Sequence, residues 1–378
     1  MLGNVWQLRA PVRPALRRGL LAAIPVGLAM LLDLELDAPV AGAISTGAML
    51  AGFIAFDAPA RTRVVWQLLS APAIGAAAAL GALTGEPGWL AALAMGAVAA
   101  TAGMTVAVSP RLSIVGLTCV LALLLSQGLS VTADQAPEAL LLGGAGVLLQ
   151  ALTALAAWSK HGVVEPIDIP GGLHRAWRAV RANLDLRSPI LRHALRWGSA
   201  LGLGVGLYHL VDLGAHGYWV PLTILFVLRP EPGETVERIA MRAAGTIAGL
   251  ALATPLAMLI GPLPVLEALA IAIAAAFSFA LISIEYALFT AAITAFIILT
   301  AHALGQGAEQ AAGQRVLATA IGLVIVALAL AAWGGGKSRP LNRSGPGPSP
   351  RRYGSRAGPL RGPEAGRWRG AGCRAGSG

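Results

Sequence analysis

Residues 216–249 read HGYWVPLTILFVLRPEPGETVERIAMRAAGTIAG. An aromatic opening (His216, Tyr218, Trp219) leads into an apolar run that ends at Val227–Leu228. A charged elbow follows, carrying Arg229, Glu231, Glu234, Glu237 and Arg238, and a second apolar segment then departs from Arg242 through Gly245 and Gly249. An apolar span, a tight charged turn and a returning span describe a helical hairpin in a membrane. Without water to satisfy backbone groups inside the bilayer, a spanning segment of this kind has to be a helix.

The rest of the chain supports that frame. Of 378 residues 56% are hydrophobic and 12% charged, against roughly 25% charged in an ordinary soluble domain, and the mean hydropathy is +0.70. Many windows reach the roughly 20 apolar residues that cross a bilayer. The sequence therefore predicts an all-α polytopic membrane protein. Basic residues precede the first apolar run, as in a signal peptide, but the apolar segments that follow favour a retained first span. The net charge of +10 does not point to nucleic acid, because the basic residues gather at the ends of apolar segments. Cys119 and Cys373 offer neither a disulfide framework nor metal-ligand spacing, and no metal or cofactor is expected.

Apolar windows between charges mark twelve candidate spans, approximately 16–34, 38–56, 64–84, 89–109, 112–131, 137–158, 194–213, 216–229, 239–261, 264–282, 285–304 and 314–334. With a cytoplasmic N-terminus, one side of the membrane receives every Lys and Arg except Arg315. The opposite loops carry Asp33, Glu35, Asp37, Glu86, Asp134, Glu138 and Asp212. Basic loops resist translocation, so this separation places both termini and the 229–238 elbow in the cytoplasm.

The segment Ala15-Leu16-Arg17-Arg18-Gly19 recurs as Ala194-Leu195-Arg196-Trp197-Gly198, and the elbow Asp57–Arg63 recurs in role as Arg229–Arg238. Each half would hold six spans and enter the membrane in the same sense, which predicts parallel repeats with a pathway at their interface. The expected organisation is a first repeat at 1–158, a cytoplasmic connector at 159–193, a second repeat at 194–334 and a disordered basic tail at 335–378. Within the connector Val163–Pro170 reads as extended. From Leu173 to Leu186, Trp177, Val180 and Leu184 alternate with Arg175, Arg178 and Arg181 at helical spacing, as in an amphipathic helix on the inner membrane surface. A solvated linker helix is the competing reading. Tail residues such as Lys337, Arg351 and Arg352 could meet anionic lipid or be dispensable.

Arg238, Arg242, Gly245 and Gly249 are spaced 4, 3 and 4, so they share one helical stripe. The glycines permit close helix packing, and a guanidinium at the end of such a stripe can bind a carboxylate bidentately. Together with Arg61 and Arg63 of the first half they suggest a cationic vestibule for an anionic substrate. The alternative is that these arginines are topology anchors, with Arg238 paired to Glu234 one turn away. The first-half stripe Arg63, Gln67, Ser70 and Ile74 lacks the second arginine and the glycines, which argues against a symmetric pore. Among ionisable groups near span ends (His209, Asp212, His216, Glu267, Glu285 and His302), Glu285 and His216 are candidates for proton coupling; the plainer reading is a solvated interfacial group. Trp219 could stack on substrate or anchor at the interface. No GxxxxGK[ST], HExxH, CxxC or nucleophile elbow is present, so no enzyme is predicted.

Ser188–Arg196, His216–Thr223, Arg229-Pro230 and Arg238–Thr246 resemble the fusaric-acid-resistance-like family of integral membrane proteins, and Glu285-Tyr286-Ala287-Leu288 is similar to that family's Asn-Tyr-Ala element. The resemblance spans roughly 1–334 and is strongest over 188–300. It implies a bacterial inner-membrane protein of repeated six-helix units, related to aromatic acid exporters, and adds Tyr286 to the candidate lining residues. The function expected is a secondary transporter, with proton-driven efflux of small aromatic or other anionic compounds. An anion conduit is the close variant, and a non-transporting membrane scaffold is the alternative. Membrane lipid and a small organic anion are the expected partners, a homo-oligomer or an envelope component is a further candidate, and nucleic acid is not expected.

Overall fold

A computed structural model of the chain describes residues 12–31, 38–156, 172–211, 213, 216–229, 231–260 and 263–333. The helices are α1 (Val12–Leu31), α2 (Ala38–Gly52), α3 (Ala60–Thr84), α4 (Gly88–Met104), α5 (Pro110–Gly128), α6 (Ala136–Ala156), α7 (Leu173–Ala182), α8 (Pro189–Val211), α9 (Trp219–Val227), α10 (Pro232–Ile260), α11 (Pro264–Leu281), α12 (Tyr286–Ala303) and α13 (Ala308–Trp333). No strand occurs among the described residues. The extended stretch Val163–Pro170 and the tail beyond Trp333 lie outside them.

Local chemistry sets several helix starts. Proline occupies the first turn of α5 and α11, where its missing N–H costs nothing. Ser109 caps α5 by accepting from the Leu112 N–H at 3.1 Å, and Glu285 caps α12 by accepting from the Leu288 N–H at 2.7 Å. Each satisfies a donor that the first helical turn leaves open.

Among the described residues nine helices are long and apolar enough to cross a membrane: α1, α3–α6 and α10–α13. The chain is a multi-pass membrane protein. Three predicted spans take a different form. The 15-residue α2 extends about 22 Å and the nine-residue α9 about 14 Å at 1.5 Å per residue, short of the roughly 30 Å hydrocarbon core. The 23-residue α8 is long enough, but Arg192, Arg196 and His209 interrupt its apolar surface. The connector helix α7 exposes Arg175, Arg178 and Arg181 together with Trp177, which is 57% exposed.

The two halves interlock. Helix α1 packs on α11, and α8 packs on α4; α3 contacts α5 and α6, while α10 contacts α12 and α13; α2 lies on α6, and α9 on α13. At the α4–α8 crossing a Cβ on Gly198 would come within 2.6 Å of the Gly96 carbonyl oxygen, so the backbones touch there and no side chain fits. Bulky residues from both halves, including Trp66, Met95, Leu123, Trp219 and Ile224, form one buried cluster. Leu20, Leu252, Leu259 and Leu328 point outward, as the surface of a lipid-embedded bundle requires.

Candidate functional site

The site is built on α9, α10, α12 and α13. Eight of the nine residues of α9 are buried. Its flanks are not helical: Tyr218 lies in a turn and Leu228 is extended. Broken helices within a membrane protein are tolerated where protein buries them or where they line a polar pathway.

Helix α10 brings Arg242 against this segment. The side chain is fully buried, its guanidinium lies 5.5 Å from the centre of the Phe226 ring, and none of its three nitrogens has a hydrogen-bond partner among the described residues. The two glycines that continue its stripe seat α10 on α12. A Cβ at Gly245 would collide with the Ala287 carbonyl and with Thr290, and one at Gly249 would lie 2.8 Å from the Thr294 Cβ.

Helix α13 contributes Arg315, which is likewise fully buried with three unpartnered nitrogens. Its guanidinium stands 5.2 Å from the centre of the Trp219 ring, and Arg242 is among the charges that act on it. The hydroxyls of Thr246, Thr290, Thr294 and Thr319, from α10, α12 and α13, are also buried without a partner. Beyond Arg315, the His216 ring packs tilted against Trp219 with ring centres 4.1 Å apart and holds the side chains of Gln306 and Gln314 on its two ring nitrogens.

Arg238 lies toward the elbow, its guanidinium 4.2 Å from the centre of the Tyr286 ring. The Tyr286 hydroxyl donates to the Phe226 carbonyl at 3.2 Å. Arg196 donates to the Arg229 carbonyl, and the Arg229 backbone N–H donates to Thr235 Oγ1 at 3.0 Å, so the elbow is a bonded turn. Burial, reinforced by the neighbouring Arg238, pushes the Arg229 guanidinium down to about 10, and it remains charged at neutral pH. Glu285 is buried as the α12 cap. Glu267 and His302 bond each other at 2.6 Å across α11 and α12.

The first-half arginines occupy the neighbouring elbow. Arg63 is buried 5.8 Å from the centre of the Phe56 ring, next to the Arg18–Asp57 ion pair at 3.1 Å, and Arg61 is half-buried beside it. Phe56 and Phe226 line one cavity of about 420 Å³, together with Asp57, Arg111 and Ser283. Arg63 and Arg242 therefore sit behind two walls of the same cavity, each on a different aromatic ring.

Sequence reasoning passed over Arg315 and the threonine hydroxyls. Arg315 did carry a signal, since it alone departed from the one-sided distribution of basic residues. The threonines carried none, because a threonine in an apolar helix ordinarily bonds its own backbone, as Thr223 does to the Trp219 carbonyl at 3.0 Å.

Residues 200–329, which contain this site, match the family described as fusaric acid resistance protein-like. The chain is 33% identical over 160 residues to inner membrane protein YccS of Escherichia coli (strain K12), covering 42% of this chain and 22% of that protein. It is 35% identical over 156 residues to the Synechocystis protein slr1298, covering 41% of this chain and 20% of that one. With Neisseria gonorrhoeae ORF2 it shares 35% identity over 80 residues, 21% of this chain and 19% of that one. The matched part thus spans about a fifth of the length of these relatives. No solved structure matches the chain. The short helix α9 and the two buried arginines around it lie within residues 200–329, the part of the chain that matches the fusaric acid resistance protein-like family.

Proposed function

We propose that the protein is a secondary transporter of the bacterial inner membrane that exports small organic anions, driven by the proton gradient. The observation that carries this reading is the pair Arg242 and Arg315, both fully buried, with no guanidinium nitrogen bonded to any described residue. Burying an uncompensated charge costs several kcal/mol, and ionisable groups inside membrane bundles are rare outside ion and substrate pathways. Two such cations beside a broken helix are what a transported anion requires. A scaffold has no use for them.

In this reading the cavity between Phe56 and Phe226 is the cytoplasmic vestibule. Arg61, Arg63 and Arg238 attract the anion, and Arg242 with Trp219, Phe226 and Tyr286 receives it. Glu285 and His216 are the proton-coupling candidates at the inner and outer ends. The topology we propose has twelve membrane segments in two parallel repeats, 1–158 and 194–334, joined by the 159–193 connector, with both termini and the 335–378 tail cytoplasmic. The distribution of basic residues supports it, as does the reciprocity of the packing, in which α1 meets α11 as α8 meets α4 and α2 meets α6 as α9 meets α13. The inner membrane location draws on the description of the Escherichia coli relative.

Inverted membrane vesicles supply the test. Vesicles bearing the protein should accumulate organic anions from an aromatic acid panel when a proton gradient is imposed, and Arg242→Ala at wild-type abundance should abolish it. No accumulation by well-expressed protein would replace the transporter with the scaffold.

A further inference from the structure

We propose that the Arg242–Arg315 site selects a dicarboxylate, one carboxylate on each guanidinium, with the apolar body of the molecule between Trp219 and Phe226. This deepens the transporter reading and rests on it for the location of the pathway.

Charge accounting leads to two negative charges. The ion pairs among the described residues are Arg18–Asp57, His209–Glu86 and His302–Glu267, and neither buried arginine takes part in one. Of the charged groups that act on Arg315, the foremost is a second cation, Arg242. Each guanidinium does face an aromatic ring, at 5.2 Å for Arg315 and 5.5 Å for Arg242. A ring quadrupole offsets only part of the cost of desolvating a cation. A monoanion would neutralise one guanidinium and leave its neighbour repelled and bare. A dianion neutralises both.

Geometry separates a dicarboxylate from a single doubly charged oxyanion. Trp219 and Phe226 stand near the two ends of α9, seven residues apart and so about 10 Å along the helix axis. Guanidiniums held over those two rings address two separate anionic groups better than one compact phosphate or sulfate. A guanidinium also matches the planar carboxylate in a two-point hydrogen bond. The unpartnered hydroxyls of Thr290 and Thr294, on the helix packed against α10, are further donors for the outer oxygens.

The test is equilibrium binding to the full-length protein purified in detergent, by calorimetry, with probes matched in size: terephthalate against benzoate, and succinate against butyrate. Inorganic phosphate and sulfate form a third arm. Each dicarboxylate should bind at least tenfold more tightly than its monocarboxylate partner. Arg242→Lys and Arg315→Lys retain the charge and should keep most of that preference; Arg242→Gln and Arg315→Gln should each reduce it to about twofold. Equal affinity for benzoate and terephthalate, tighter binding of phosphate or sulfate, or a preference unchanged in both glutamine variants overturns the proposal. If the glutamine variants do not fold, the wild-type ratio decides alone. Dicarboxylate binding without vesicle transport refutes the transporter and leaves this site standing. Transport confined to monocarboxylates refutes the selectivity and leaves the transporter.

Discussion

Gly245→Ala adds one methyl group at the α10–α12 crossing. The new Cβ would lie 2.6 Å from the Thr290 Cβ and closer still to the Ala287 carbonyl oxygen. Carbon atoms pack at about 3.5–4.0 Å, so α12 has to retreat by about 1 Å. A gap of that size forfeits a quarter to a half of the dispersion well along the parted surfaces, and overpacking of this kind costs about 1–3 kcal/mol. Gly144→Ala in α6 is the matched control, because a Cβ there meets nothing within 4 Å and the substitution should stabilise its helix by about 0.4–1 kcal/mol. Thermal unfolding of both variants in the same detergent reads the contrast: the midpoint should fall for Gly245→Ala and hold or rise for Gly144→Ala. The retreat of α12 also moves Thr290 from the neighbourhood of Arg242, one turn away on α10, so anion binding should weaken together with stability. A Gly245→Ala protein as stable as its control would show that the two helices do not meet at this glycine.

Removing the His216 side chain leaves two glutamine side chains, those of Gln306 and Gln314, without their bond, and His216→Ala should cost about 1–3 kcal/mol in unfolding experiments. Glu285 separates capping from proton coupling: Glu285→Gln keeps an acceptor for the Leu288 N–H and should unfold like wild type while losing gradient-stimulated efflux, whereas Glu285→Ala should also lose about 1 kcal/mol. A cysteine placed on α7 at Ala179 should react with an impermeant reagent from the cytoplasmic side only, and one at Gly305 between α12 and α13 from the opposite side. The reverse pattern would overturn the topology argued from charge.

Much of the fold was legible in the chain because a membrane imposes its rules on local sequence. A helix that crosses lipid must be apolar over its own length, so α1, α3–α6 and α10–α13 appear as hydrophobic windows whatever they pack against. The elbow at 229–238 was equally visible, since a run of charged residues this dense interrupts the apolar windows on either side. Segments that deviate were harder. Residues 216–229 read as a short span, yet α9 is only nine residues long, because protein on every side satisfies what lipid would not, and hydropathy does not distinguish the two surroundings. Glu285 read as a buried acid open for proton transfer; its carboxylate also caps α12, an engagement set by backbone geometry.

By itself the sequence determined a helical membrane chain and set one arginine, Arg315, apart from the basic residues that flank its apolar segments. Tertiary structure decided what that arginine does. Arg315 and Arg242 lie more than seventy residues apart in sequence and are brought together by the packing of α10 and α13 against α9. No window of sequence contains both, and their shared field exists only where those helices converge, so the pairing had to come from the fold.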